Sequence, residues 1–240
     1  MSFILLYYAL GILIVPGILL GIYAQAKVSR TYKTYSQIQS ANGITASQLA
    51  RTVLDSAGLQ EIELRREKGY LTDHYHPKKK YIALSEDVYD SSSVASLGVA
   101  MHEVGHAIQK KEHYFFLGFR QILVPITNLA STLLWPMVII GLLLGLFVSA
   151  NYPIGLIFIG VGVCFYGLSL LLNLITLPVE FNASKRAVQI LEDGGFLNEI
   201  ELDGARQVLK AAALTYVASF VVALLEMLRF VLYIFLSREN

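Results

Sequence analysis

The sequence predicts a mainly α integral membrane protein, with about four transmembrane helices and a small α+β domain built from two polar segments on one side of the membrane. Three observations lead there. Hydrophobic residues fill 55% of the 240 positions and charged ones only 15%, and the mean hydropathy is +0.56, too apolar for a soluble domain. The apolar residues gather into runs long enough to cross a hydrocarbon core about 30 Å thick. Finally, the two central runs form a hairpin, which returns the chain to the side it left, so the polar stretches before and after it share that side.

Residues 1–24 form the first transmembrane helix. Its apolar run, Phe3 to Ala24, is followed by Lys27, Arg30 and Lys33 rather than by a small-residue cleavage site, which reads as a retained anchor. Residues 25–121 are the first polar segment. Within it Thr45 caps a helix through Ala50 and Val53, with Gly58 as its terminal glycine. Tyr81–Ser85 alternates like a strand. Asp90-Ser91-Ser92-Ser93 then offers N-caps for a small-residue helix through Val94, Ala95, Leu97, Val99 and Ala100. Residues 122–177 are the hairpin of helices two and three, turned at Asn151-Tyr152-Pro153. Residues 178–210 are the second polar segment, and residues 211–236 the last transmembrane helix. Glu226 and Arg229 interrupt that helix three residues apart, close enough to pair on one face. That pair reads as a structural or oligomer contact.

The net charge of +1 carries no basic excess and no basic-aromatic stripe, so nucleic acid is excluded as a partner. Cys164 is the single cysteine and sits in an apolar run, which excludes a disulfide framework and a thiolate metal site. Nearly all the basic residues, including Lys78-Lys79-Lys80, Lys110-Lys111, Arg120 and Lys185-Arg186, lie in the polar segments, whereas the Ser149–Pro153 turn has none. The positive-inside rule therefore puts the polar segments in the cytoplasm of a multi-pass cell-membrane protein. Lys78-Lys79-Lys80 reads as a solvated turn or a contact with anionic head groups.

The motif with chemistry is His102-Glu103-Val104-Gly105-His106. On a helix, residues four apart share a face, so both imidazoles can reach one metal ion while Glu103 stands beside them. Gly105 within such a helix points to something approaching closely. Catalytic zinc takes three protein ligands and keeps one position open. Lys110-Lys111-Glu112-His113-Tyr114 lacks the spacing of a nearby third histidine. Glu180 remains, where the third membrane helix emerges on the required side, with Ser184 one turn later to support a ligand imidazole.

The runs Leu71-Thr72-Asp73-His74-Tyr75-His76-Pro77, Tyr81-Ile82-Ala83-Leu84-Ser85, Leu97 through the pentad to Gln109, Glu180-Phe181-Asn182-Ala183-Ser184 and Ala212 to Val217 together resemble the YugP-type neutral zinc metallopeptidases of bacteria. More distantly, the pentad with the later Glu-x-x-Ala is similar to the HtpX heat-shock membrane proteases and the CAAX prenyl proteases. The resemblance implies a zincin-like domain and a gluzincin-type site with His102, His106 and Glu180 on one zinc ion and Glu103 as general base. Two departures stand out: Ser184 replaces the aspartate usual in the distant proteases, and His76 stands where an acidic residue is expected.

The expected reaction is amide hydrolysis of a peptide or protein substrate, with a role in membrane-protein turnover. Tyr81, Ile82, Ala83, Leu84 and Ser85 are expected to offer an open strand edge to the substrate. His74, Tyr216 and Arg186 are each chemically able to stabilise an oxyanion, and the sequence does not choose among them. His74 and His76 beside Pro77 read as part of a structured loop rather than as a second metal pair. The alternative to an enzyme is a membrane scaffold or regulatory protein that keeps zinc for stability, with its coordination closed by protein donors. Expected partners are the lipid bilayer and either an oligomer or a regulatory membrane protein.

Overall fold

The computed structural model describes residues 8–147 and 154–238. The turn expected at Asn151-Tyr152-Pro153 and the first residues of the N-terminal run lie outside them. Among the described residues four helices are long and apolar enough to cross a membrane, within Leu10–Tyr35, Phe115–Gly141, Gly160–Asp193 and Glu199–Leu236. With the small sheet below, this is the mainly α membrane architecture with a small α+β part that the sequence predicts.

A 3-10 turn over Leu10–Ile14 leads into α1 (Val15–Tyr35), and α2 (Ala46–Ser56), β1 (Glu63–Glu67), β2 (His74–His76) and β3 (Tyr81–Ser85) follow. The short α3 (Glu86–Tyr89) precedes α4 (Val94–Lys111), α5 (Phe115–Phe147), α6 (Ile154–Asp193) and α7 (Glu199–Arg238). Helices α6 and α7 have 40 residues each, about 60 Å of rise. That is twice the thickness of a hydrocarbon core, so each carries more helix than a crossing needs.

The chain divides into two compact units. One comprises the described residues of Met1–Tyr23, Phe119–Leu177 and Tyr216–Asn240. Here small residues let helices approach: a Cβ on Gly17 would lie 3.0 Å from the Val222 side chain, and one on Gly162 would lie 3.1 Å from that of Val138. Leu134, Val138, Phe230 and Tyr233 form its buried cluster. Arg229 donates to both carboxylate oxygens of Glu226 at 3.2 Å, and both side chains are buried, as an intramembrane charge requires.

The second unit comprises Ala24–Gly118 and Pro178–Thr215. Thr45 and Gln48 form a reciprocal capping box at the start of α2. That helix ends at Ser56, and Gly58 adopts the left-handed φ of +65° that a terminal glycine supplies. Asn198 and Glu201 repeat the device at α7: Glu201 N–H donates to Asn198 Oδ1 at 3.0 Å, and Asn198 N–H donates to Glu201 Oε2 at 2.9 Å. The sheet has the order β1-β3-β2, with β1 parallel and β2 antiparallel to β3.

Two expectations are corrected here. Tyr81, Ile82, Ala83, Leu84 and Ser85 form the central strand and not an open edge. β1 pairs with all five, and β2 takes the other side at Tyr81, Ile82 and Ala83. Beyond β2, Ser85 donates its N–H and hydroxyl to the Asp73 carboxylate. Ile82, Ala83, Leu84 and Ser85 are fully buried, which is the expected state of a strand covered on both sides. Likewise, His74–His76 is an edge strand and not loop.

α4 runs through the centre of this unit, with Val94, Ala95, Leu97, Ala100, Met101, Val104 and Ala107 all at 0% exposure. Its glycines permit close crossings. A Cβ on Gly98 would meet Ala205 at 3.5 Å, and one on Gly105 would lie 2.8 Å from the Ala183 carbonyl oxygen of α6. The second contact is with backbone, which has no flexible end to yield. Gly105→Ala is therefore expected to lower stability by about 1–3 kcal/mol through overpacking, despite the gain in helix propensity of about 1 kcal/mol. Thermal unfolding of the purified full chain measures it, and a variant as stable as wild type would contradict the crossing.

Candidate metal centre

α4 begins at Ser93, whose hydroxyl accepts from Ser96 N–H at 3.2 Å. It ends at Lys111, and His113 takes a φ of +55° in the turn that follows. Between these ends His102 and His106 share a face, their rings edge to face at 4.7 Å. α6 supplies the opposing wall. Val179, Ala183 and Ala187, four residues apart, are fully buried, and this small-residue stripe seats α6 in the unit core. Glu180 is thereby carried to the two imidazoles.

Glu180 Oε2 lies 3.2 Å from His102 Nε2 and 3.4 Å from His106 Nε2. Among the described residues this is the one group of three potential metal ligands, with one ligand atom from each residue and all of these within 4.8 Å of one another. Ligands about 2.0 Å from a tetrahedral zinc stand about 3.3 Å apart, so the carboxylate-to-imidazole spacings suit that ion. Glu180 is 2% exposed; a carboxylate so buried needs positive or hydrogen-bonding partners, which the imidazoles supply and a cation would complete. The donor set, two nitrogens and one oxygen, is that of a catalytic zinc with a position left for water. The residues fit zinc.

Each imidazole is held by its other nitrogen. Ser184 Oγ lies 3.1 Å from His102 Nδ1, and Gln109 Oε1 lies 3.0 Å from His106 Nδ1. Glu103 follows His102 on α4 and is 8% exposed. Asp73 is close enough for the Glu103 charge to act on it: burial raises the Asp73 carboxyl above its ordinary value against the hydrogen bonds from Ser85, and Glu103 adds to the rise.

Burial works to lower the His106 pKa, but its hydrogen bond with Glu180 and the charges of Glu103 and Glu180 outweigh it, so His106 is raised above its usual value. A zinc ligand must be a neutral imidazole, so a proton and zinc compete for this ring. Zinc affinity is expected to be full at alkaline pH and to fall by about tenfold per pH unit once the pH drops below that raised pKa. Titration of zinc binding from pH 8.5 to 5.5 checks it, and a flat profile would contradict the competition.

The remaining residues singled out in the sequence are distributed as follows. His74 Nδ1–H donates to the Thr72 carbonyl at 2.9 Å, and its ring lies edge to face with Tyr81. The His76 ring also lies against Tyr81, tilted, with centroids 5.2 Å apart. Arg186 donates from Nε to Asn182 Oδ1 at 2.8 Å and pairs with Glu112 at 2.6 Å. Tyr216 belongs to the other unit. Sequence reading gave no role to Gln109, Asn182 or Asp73. A glutamine three residues after His106 shares its helical face, which was the available signal for Gln109.

Comparison with known proteins agrees with this chemistry. The family model described as "Putative neutral zinc metallopeptidase" matches residues 10–235. The "Putative membrane protease YugP" of Bacillus subtilis (strain 168) is 42% identical over 221 residues, which cover 92% of this chain and 94% of that protein. No solved structure gives a significant match. A family match over nearly the whole chain, four helices able to cross a membrane and a buried site suited to zinc lead to one assignment: the chain belongs to the neutral zinc metallopeptidases, as a multi-pass membrane member of that family.

Proposed function

We propose that this protein is a membrane-embedded endopeptidase whose single zinc ion is held by His102, His106 and Glu180, with Glu103 as general base. The observation that carries the reading is the convergence of two Nε2 atoms and one carboxylate oxygen, each imidazole being secured through its Nδ1. When bound, zinc supplies Lewis acidity, which brings the pKa of water towards neutrality and polarises a carbonyl. Glu103 takes the proton from the attacking water on its carboxylate and passes it to the leaving amine. His102 and His106 stay neutral, with Nδ1–H directed at Ser184 and Gln109. Ser184 does for His102 what the aspartate of the distant proteases is expected to do.

β2 is the edge strand that packs against α4. An extended peptide can therefore add main-chain hydrogen bonds at β2 within reach of the metal helix. Of the oxyanion candidates, Arg186 is engaged by Asn182 and Glu112, and His74 gives its Nδ1–H to the Thr72 carbonyl, so neither is preferred over the other. Residues 25–121 and 178–210 form the catalytic domain, with residues 1–24, 122–177 and 211–236 in the bilayer. The positive-inside rule supports a cytoplasmic site in the cell membrane, where the natural substrates are membrane proteins undergoing turnover.

The test is hydrolysis of a mixed library of unstructured peptides by the purified full chain in lipid nanodiscs. Cleavage should disappear with a chelator and return with one equivalent of zinc. Zinc bound at one equivalent with no cleavage of any library member would favour a zinc-stabilised scaffold instead.

A further inference from the structure

Behind His106 lies a chain of hydrogen bonds in which each member leaves the next one orientation. Arg186 stands at its outer end, and a guanidinium has donors and no acceptor. Its Nε donates to Asn182 Oδ1 at 2.8 Å, so the oxygen of that amide must face inward. The same oxygen accepts from Gln109 Nε2 at 2.9 Å. Gln109 Nε2 also lies 2.8 Å from the Val179 carbonyl oxygen, which can only accept. Two acceptors therefore hold the nitrogen of the Gln109 amide, and its oxygen is turned to His106 Nδ1 at 3.0 Å. An oxygen there requires His106 to carry its proton on Nδ1, which leaves the Nε2 lone pair for a metal.

The arrangement is buried where it matters. Gln109 is 0% exposed, so water cannot take the place of any of its partners without opening the core. It also joins the two ligand helices, because His106 lies on α4 and Val179 immediately precedes Glu180 on α6. At its far end the chain reaches the surface, where the Arg186 NH2 group pairs with a half-exposed Glu112 at 2.6 Å.

We propose that Gln109 is the positioning residue that sets the tautomer and aim of His106, and that Asn182 and Arg186 dictate which way Gln109 faces. Arg186 thereby acts on the metal site from a distance, in place of the oxyanion role its charge suggests. The inference rests on His106 being a zinc ligand, and ligand-supporting residues of this kind change metal affinity by about 10–100-fold when removed.

The test measures zinc affinity of the purified full chain by chelator competition, together with thermal unfolding of the metal-free protein and the absorption spectrum of the cobalt-substituted form. Gln109→Leu keeps the volume and loses every hydrogen bond; it is expected to weaken zinc by about 10–100-fold and to alter the cobalt spectrum. Gln109→Glu restores an oxygen to His106 but not the donors to Val179 and Asn182. It is expected to recover affinity to within about threefold of wild type while unfolding at a lower temperature. Arg186→Met, which frees Asn182 to turn, is expected to lose affinity by an intermediate factor, about 3–10-fold.

Unchanged affinity in Gln109→Leu, or equal losses in Gln109→Leu and Gln109→Glu, would overturn the positioning role and leave Gln109 a packing residue. Should Gln109→Leu fail to fold, Gln109→Glu and Arg186→Met decide the matter: a Glu variant weakened more than tenfold, or an Arg186→Met variant that binds like wild type, overturns it. Failure of the wild-type chain to bind one zinc would instead remove the zinc-site reading on which the inference stands.

Discussion

Glu180→Ala is expected to purify as a folded membrane protein with zinc affinity weakened by about a thousandfold or more, since one of three donors is gone from a site whose total zinc binding is worth on the order of 10 kcal/mol. Fold and metal separate in this variant because a carboxylate at 2% exposure is a liability without its cation. Removing it relieves burial of charge in the metal-free protein even as it abolishes the site. Zinc at a thousand times the wild-type Kd should stabilise wild type by about 4 kcal/mol and Glu180→Ala hardly at all. Calorimetry with and without zinc checks this. Full zinc affinity in Glu180→Ala would remove Glu180 from the ligand set.

Glu103→Gln should behave in the opposite way. The side chain keeps its volume at a buried position, and His102 and His106 keep their partners on Ser184 and Gln109. Zinc affinity should therefore stay within a few-fold of wild type. Peptide hydrolysis should fall by about 10²–10⁴-fold, the usual worth of a positioned base. The pair of variants distinguishes holding the metal from moving the proton. A Glu103→Gln enzyme that cleaves at the wild-type rate would require another base, and one that loses zinc would make Glu103 part of the coordination.

What the sequence made visible followed short-range rules. The four-residue spacing of His102 and His106 needs only a helix, and the length of the apolar runs needs only the thickness of a bilayer. Glu180 was reachable because two polar segments separated by a predicted hairpin are expected to share one side, which left it as the remaining donor; the structure brings its Oε2 to both Nε2 atoms. Gly105 signalled a close approach, and its neighbour is the Ala183 backbone.

The sheet was less legible because its order is set by contacts distant in sequence. Glu63-Leu64-Arg65-Arg66-Glu67 has no apolar alternation, so nothing announced that β1 would occupy one side of β3. His74–His76 is only three residues long and follows no pattern of its own. Gln109 was hidden for a related reason. A buried polar residue on an apolar helix face is indistinguishable by periodicity from a surface one, and its value lies in partners 70 and 73 positions away.

Zinc-edge X-ray absorption on the purified, zinc-loaded wild-type chain tests the metal centre most directly. The expected spectrum has two imidazole nitrogens, one carboxylate oxygen and one further oxygen that an added small anion displaces, which is the open coordination a hydrolase needs. A closed shell of four protein donors, unaltered by the anion, would contradict the peptidase reading.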